Sequence, residues 1–214
     1  RKVHAAALDK EIIVVDDGSA DGTKDILARL SRELPLRVVT HARNQGKGQA
    51  VRSAIAASRG AILLIQDADL EYDPADYPVL IEPIARGQAD AVIGSRFLLQ
   101  KLRFFTAGGD PFFSHYIGNQ FIIWITNLLY GLRATDYEGG YKAFARAALQ
   151  DIPLTARSFD IDNEIICKLL RRRRRIVEVP IHYRPRGYRE GKKIRWHHGV
   201  RILWTILKWR VAPF

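Results

Sequence analysis

Ala61-Ile62-Leu63-Leu64-Ile65-Gln66 runs directly into Asp67-Ala68-Asp69. A short apolar run rich in branched residues predicts a strand buried on both faces, as in a parallel sheet. Carboxylates at its C-terminal end then stand where open α/β sheets bind ligands. Two acids one residue apart repel each other unless positive charge lies beside them, and a hard divalent cation carrying phosphates meets that need. Alone, the pair reads equally as a polar exit from a strand, because Asp is frequent in turns.

The flanking sequence repeats the pattern. Residues 11–15 read as an apolar strand ending in Asp16-Asp17-Gly18-Ser19, and residues 36–40 as another. Residues 23–34, 46–58 and 77–85 have helical periodicity, and residues 89–94 form a further strand. This alternation predicts βαβ units around a mostly parallel sheet. Beyond Gly94, residues 97–114 carry aromatic residues and glycines without a clear period. Helices follow at 115–130, 161–171 and 198–209, with a strand at 175–183 that Pro180 places at an edge or bulge. With no internal repeat or long linker, residues 1–214 read as one domain.

The chain has 214 residues, 47% hydrophobic, enough for one core of ordinary size. Its single cysteine, Cys167, cannot form an intrachain disulfide and reads as a buried helix residue in a reducing compartment. The formal net charge is +11, concentrated in the five arginines 171–175 and in residues 184–210. Such a surface favours nucleic acid, phosphate-bearing substrates or an anionic membrane face. Acids at three strand ends would repel a nucleic-acid backbone, and no nucleic-acid motif is present. The opening residues lack a secretory pattern, and no run reaches the ~20 apolar residues that span a bilayer. The expectation is a soluble or peripheral protein, on the cytoplasmic face of the membrane.

Asp16 and Asp17 can accept hydrogen bonds from a base or ribose, while Ser19 or Asp21 can cap the next helix. Asn44-Gln45-Gly46-Lys47-Gly48 opens a helix and can hold a phosphate on backbone amides, though it also reads as a simple helix entry. In order along the chain, Val14-Val15-Asp16-Asp17-Gly18-Ser19, Asn44-Gln45-Gly46-Lys47-Gly48, Asp67-Ala68-Asp69-Leu70-Glu71 and Gly94-Ser95-Arg96-Phe97 are joined by Gly118-Asn119 and Thr135-Asp136-Tyr137-Glu138. Tyr141-Lys142-Ala143-Phe144, Glu178-Val179-Pro180-Ile181 and Glu190-Gly191-Lys192-Lys193-Ile194 complete the set. Together they resemble the family 2 glycosyltransferases of GT-A fold, and most closely the dolichyl-phosphate mannose synthase and dolichyl-phosphate glucosyltransferase branch.

The resemblance implies a GT-A, Rossmann-like αβα sandwich. Residues 1 to about 97 would form a nucleotide-sugar half, and about 98–214 an acceptor half with a basic amphipathic C-terminal helix. It implies inverting transfer of a hexose from a GDP-mannose or UDP-glucose type donor to a polyprenyl phosphate. Asp16, Asp17, Gly18, Lys47, Asp67 and Ala68 would face the nucleotide. Asp67, Asp69 and Glu71 would hold Mg²⁺ or Mn²⁺, acting as a Lewis acid toward the departing diphosphate. Arg96 would pair with a phosphate, and Asp136 would serve as acceptor-side base or orienting group. Glu138 reads equally as a cap or surface residue. Arg133, Lys192 and Lys193 would hold acceptor phosphate, against the ordinary reading of a solvated basic face. Arginines 171–175 read first as solvated, and residues 202–209 as either an interfacial helix or one packed on the sheet. A glycan or small-molecule acceptor, an inactive remnant and a nucleic-acid-binding module are the alternatives, and a homo-oligomer stays open.

The chain departs from the family in two places. The usual first strand, ending in a Pro-x-Tyr-Asn-Glu type motif, and its helix have no counterpart; residues 1–10 look like the tail of that helix. The expectation is a chain lacking the first strand and binding nucleotide weakly. Gly139-Gly140 stands where relatives often carry Thr-Cys.

Overall fold

The computed structural model describes residues 1–99, 113–184 and 196–214. The elements are α1 (Lys2–Ala5), β1 (Ile12–Asp16), α2 (Thr23–Glu33), β2 (Leu36–Thr40), α3 (Lys47–Ala57) and β3 (Ile62–Ile65). After a 3-10 turn at Pro74–Asp76 come α4 (Tyr77–Ala85), β4 (Ala91–Ser95), α5 (Phe113–Tyr130) and β5 (Lys142–Ala145). The chain ends with α6 (Arg146–Leu149), α7 (Ile161–Arg171), β6 (Ile176–Pro180) and α8 (Trp196–Val211).

β1 and β2 pair in parallel, from Ile12 opposite Leu36 to Asp16 opposite Thr40. The other strands form one sheet of order β3-β5-β4-β6. β4 and β6 are parallel, whereas β5 runs antiparallel to both β3 and β4. Among the described residues no strand joins β1 to β3. The architecture is therefore the expected α/β one, with its sheet in two pieces. β5 escapes the sequence reading because its Lys142-Ala143-Phe144-Ala145 lacks the branched apolar run that marks the equally short β3.

The break in the sheet explains a failed expectation. β4 is buried at every residue, but Ile62, Leu63, Leu64 and Ile65 of β3 are each only half-buried. β4 has a neighbour on both edges; among the described residues β3 has one on its β5 edge only. Pro180 closes β6 at the outer edge, where a missing N–H costs least.

Side chains alternate across the sheet and feed two cores. On the α7 side Phe144 meets Ile161, Ile165 and Leu169. On the α4 side Tyr141 and Ala143 meet Leu80, Tyr72 and Ile181. A third cluster joins Ile122 of α5, Cys167 of α7 and Ile202, Ile206 and Trp209 of α8. Each fully buried aliphatic side chain here contributes about 1.5–3 kcal/mol. Burial pushes the Cys167 thiol up to about 12, which fits its packing role.

Candidate active site

β4 delivers Arg96 to the end of the sheet, where the loop after α5 brings Asp136. Arg96 Nε and Nη2 donate to Asp136 Oδ2 and Oδ1 at 2.7 and 2.8 Å, a bidentate pair. Asp136 is fully buried and also accepts from the backbone N–H groups of Arg96, Glu138 and Gly139. Burial alone would raise its carboxyl, but the Arg96 charge and hydrogen bonds outweigh this and hold it below the ordinary value. A carboxylate so saturated with donors orients its neighbours and is a poor proton acceptor. The geometry thus favours the orienting role over the base role for Asp136, and it commits Arg96 to a protein partner.

Lys47, in the first turn of α3, bridges two acids. Its Nζ lies 3.1 Å from Asp67 Oδ2 and 3.2 Å from Asp162 Oδ2. Burial would lower the ammonium, but Asp162 and Asp67 outweigh it and raise it. Three amides of the loop and helix entry around Lys47 are already engaged within the protein. The Gln45 and Gly46 N–H groups donate to Asp17 Oδ1 and Oδ2 at 2.9 and 2.7 Å, and the Gly48 N–H donates to the Arg157 carbonyl. His41 Nδ1 lies 2.6 Å from Asp17 as well. Burial raises Asp17, but these hydrogen bonds prevail and lower it. Asp17 therefore anchors the α3 entry. Asp16 differs: Oδ1 accepts from the Ser19 N–H, while Oδ2 is buried with no hydrogen-bond partner among the described residues. An orphaned buried oxygen at a strand end fits a ligand donor. Gly18 passes so close to Arg43 that a Cβ would lie 2.5 Å from its carbonyl carbon.

Residues 2–152 match the profile of Glycosyl transferase family 2. The chain belongs to that family. It is 31% identical over 176 residues to the glycosyltransferase AglJ of Haloferax volcanii, covering 82% of this chain and 54% of the relative. It is 30% identical over 209 residues to the dolichol-phosphate mannosyltransferase of Pyrococcus furiosus, covering 94% and 56%. The chain thus spans about half the length of these curated relatives. In fold it matches glucosyl-3-phosphoglycerate synthase from Mycobacterium tuberculosis, solved with Mg²⁺ and uridine diphosphate, at a TM-score of 0.71 and 21% identity, covering 100% of this chain and 74% of that one.

In this family 2 glycosyltransferase domain the Gly139-Gly140 departure has a local reason. A Cβ at Gly139 would lie 2.6 Å from the Gly94 carbonyl oxygen and 3.2 Å from Asp136 Oδ2. One at Gly140 would lie 2.8 Å from Asp67 Oδ2 and from Tyr72. The paired glycines let the loop of Asp136 close over Asp67.

Several residues that brace the candidate site went unassigned in the sequence reading. Glu178 accepts from the Thr135 N–H and hydroxyl and from the Asp136 N–H, at 2.8–3.0 Å, latching the loop to β6. Gln66 accepts from the Tyr77 and Tyr141 hydroxyls. Lys142 is buried, donates to the Gly139 carbonyl and sits 3.8 Å from Asp162. Asn163 donates to Glu138 at 3.0 Å, and Glu138 is held above the ordinary range mainly by its burial. The available signal was Asp162-Asn163-Glu164, polar residues at the start of an otherwise apolar helix.

The donors expected for a metal come from one turn. Leu70, exposed, has a left-handed φ of 62°, unusual for a side chain of its size. Asp69 Oδ1 accepts from the Glu71 N–H at 3.2 Å, and Tyr183 donates to Glu71 at 3.3 Å. Ala68 is exposed. Among the described residues no three His, Cys, Asp or Glu side chains gather as a metal cage. The set suits a hard cation that takes one or two carboxylates and fills its shell with phosphate and water. Arg133 is exposed on the loop before Asp136; Lys192 and Lys193 lie outside the described residues.

Proposed function

We propose that this chain is the catalytic domain of an inverting glycosyltransferase that moves a hexose from a nucleoside-diphosphate sugar to a polyprenyl phosphate. The Arg96–Asp136 pair carries the reading. An ionised, donor-saturated carboxylate cannot easily deprotonate an acceptor, and a phosphate acceptor, ionised near neutral pH, needs no base. The name of the Pyrococcus furiosus relative supports the acceptor class.

In this reading Asp16 Oδ2 takes a donor from the nucleoside. Asp69, with Asp67 and Glu71, would hold Mg²⁺ or Mn²⁺, which offsets charge on the leaving diphosphate when bound. Lys47 positions Asp67, and Arg96 with Asp136 fixes the acceptor side. Attack on the anomeric carbon opposite the diphosphate inverts its configuration.

A second reading rests on Glu138, whose raised carboxyl suits a general base for a hydroxyl acceptor. The structural neighbour with a small-molecule acceptor keeps it in view. An assay of GDP-mannose and UDP-glucose against polyprenyl phosphate and against hydroxyl acceptors, with Mn²⁺, separates them. Transfer to the lipid phosphate that survives Glu138→Gln supports the first; transfer only to a hydroxyl, abolished by Glu138→Gln, supports the second. Asp69→Ala is expected to lower turnover at least about 100-fold; full turnover would remove Asp69 from the site.

A further inference from the structure

We infer that the cleft between the start of α7 and α8 is a binding site for a soluble sugar phosphate, separate from the candidate active site. The cleft has a volume of about 230 Å³. Its floor is buried: Asp160, Thr205 and Trp209 are 4–7% exposed. Its rim is exposed and cationic, formed by Arg157, Arg201 and Lys208 around Trp204. Asp16, Asp67, Arg96 and Asp136 are not among its walls.

The chemistry of the walls selects the occupant. Among the described residues the one ion pair in the cleft joins Arg201 to Asp160, and its Nε to Oδ1 separation of 3.8 Å is too long for a hydrogen bond. Three cations therefore face one acid, an excess that suits a phosphate dianion. The Lys208 ammonium lies over the Trp209 ring, 4.3 Å from its centroid, which keeps it at the cleft wall. Asp160 Oδ2 accepts from the Thr205 hydroxyl at 3.2 Å, whereas Oδ1 is buried with no hydrogen-bond partner among the described residues. A buried carboxylate oxygen in that state calls for a donor, and a sugar hydroxyl supplies one. Arg201, whose side chain is 57% exposed, has room to swing from Oδ1 toward the phosphate and open it to that hydroxyl. The exposed Trp204 ring offers a flat wall to the apolar face of a sugar.

The segment that walls the cleft also supports the candidate nucleotide side. The Arg157 carbonyl accepts from the Gly48 N–H at the α3 entry, and Asp162, two residues beyond Asp160, lies 3.2 Å from Lys47 Nζ. A ligand that fixes residues 155–160 should thus steady α3, and any effect it has on nucleotide affinity is returned to its own by linkage. The inference stands on the walls of the cleft and does not need the sugar-transfer reading.

The test is isothermal titration calorimetry of the chain with glucose 6-phosphate, inorganic phosphate and glucose at low salt. Saturable binding of glucose 6-phosphate is expected, at least about tenfold tighter than inorganic phosphate, with none for glucose. Arg157→Gln with Lys208→Gln, both at exposed positions, should weaken it at least about tenfold, while Arg29→Gln on α2 leaves it unchanged. Glucose 6-phosphate should also slow deuterium exchange of the Gly48 amide in the wild-type chain, a readout that needs no variant to fold. No binding, or binding that survives the double substitution intact, would overturn the inference. Inorganic phosphate binding as tightly would do so too, since it would mean an adventitious ion only. So would a short-chain phosphatidic acid that binds where glucose 6-phosphate does not, which would make the ligand a lipid headgroup. Displacement of glucose 6-phosphate by GDP or UDP with Mn²⁺ would place it in the candidate active site and sink the idea of a second one, whereas that nucleotide titrated alone reports on the sugar-transfer reading separately.

Discussion

Arg96 and Asp136 bind each other more fully than either is free to bind anything else. Removing one partner of such a pair leaves a buried charge, which costs about 3–5 kcal/mol. Arg96→Leu should therefore lower unfolding free energy by about that much in urea titration at neutral pH; a loss within noise would show that the pair is not ionised. The pH dependence has a sign. A carboxyl held below its ordinary value stabilises the fold at and above the unfolded value, and that contribution fades as pH falls through the lowered folded value. Glu138 runs the other way, because its burial raises it. Its contribution is fully present below the unfolded value and is lost as pH rises through the raised folded one. Glu138→Gln should thus gain melting temperature relative to wild type from pH 5 to pH 8, and an unchanged difference would count against a raised carboxyl. Arg96 and Asp136 were both singled out from their neighbours in sequence. Their engagement with each other was not, because 40 residues separate them and only the closing of the loop over β4 brings them together.

At the scale of elements, α3 shows how a motif with two plain readings resolves. Its glycines exist for close approach. A Cβ at Gly48 would lie 2.4 Å from the Ala156 carbonyl oxygen, and one at Gly46 2.1 Å from that of Arg157. Glu164 of α7 holds that segment by accepting from the Thr155 and Ala156 N–H groups, and Lys168 donates to Glu164 at 2.7 Å. Backbone cannot yield as a side-chain tip can, so Gly48→Ala should destabilise by about 1–3 kcal/mol. Gly118, on exposed α5 with nothing within 4 Å of its Cβ position, should tolerate Ala and gain up to about 1 kcal/mol. Thermal melts of both variants check the pair; equal shifts would refute the packing argument. The sequence revealed the helix start at Gly46, since glycine and lysine punctuate it. It could not reveal the partner, which comes from a loop more than a hundred residues later. α2, α4 and α7 were readable to within a residue because each carries a helical period. The C-terminal arginines were less so: Arg171, read as solvated, donates to the Trp209 and Ala212 carbonyls and caps α8.

Across the whole molecule, stability is distributed unevenly, and the two-piece sheet says where. β1, β2 and α2 form the flank; α2 has no buried residue, and β1 is half-buried except at Asp16. β4 and β5 sit in the centre, with Ala91, Val92, Ile93, Ala143 and Phe144 at 0% exposed. No ladder of backbone hydrogen bonds ties flank to centre among the described residues. The ties run through α3, whose Val51 and Ile55 pack against the central core, and through polar contacts: Glu11 accepts from the Arg59 and Gly60 N–H groups, and Lys47 spans Asp67 and Asp162. Regions with few buried apolar contacts open at lower free energy than the core. Amides of β1 and β2 should therefore exchange with deuterium at an opening free energy several kcal/mol below that of β4 and β5. Asp162→Ala, which removes one tie from α7, should widen the gap by speeding exchange in α3 without changing it in β4. A nucleoside diphosphate with Mn²⁺, if it bridges Asp16 and the Asp67–Glu71 turn, should narrow the gap by slowing exchange in β1. Uniform protection across all six strands would refute this division and mean that flank and centre unfold as one unit.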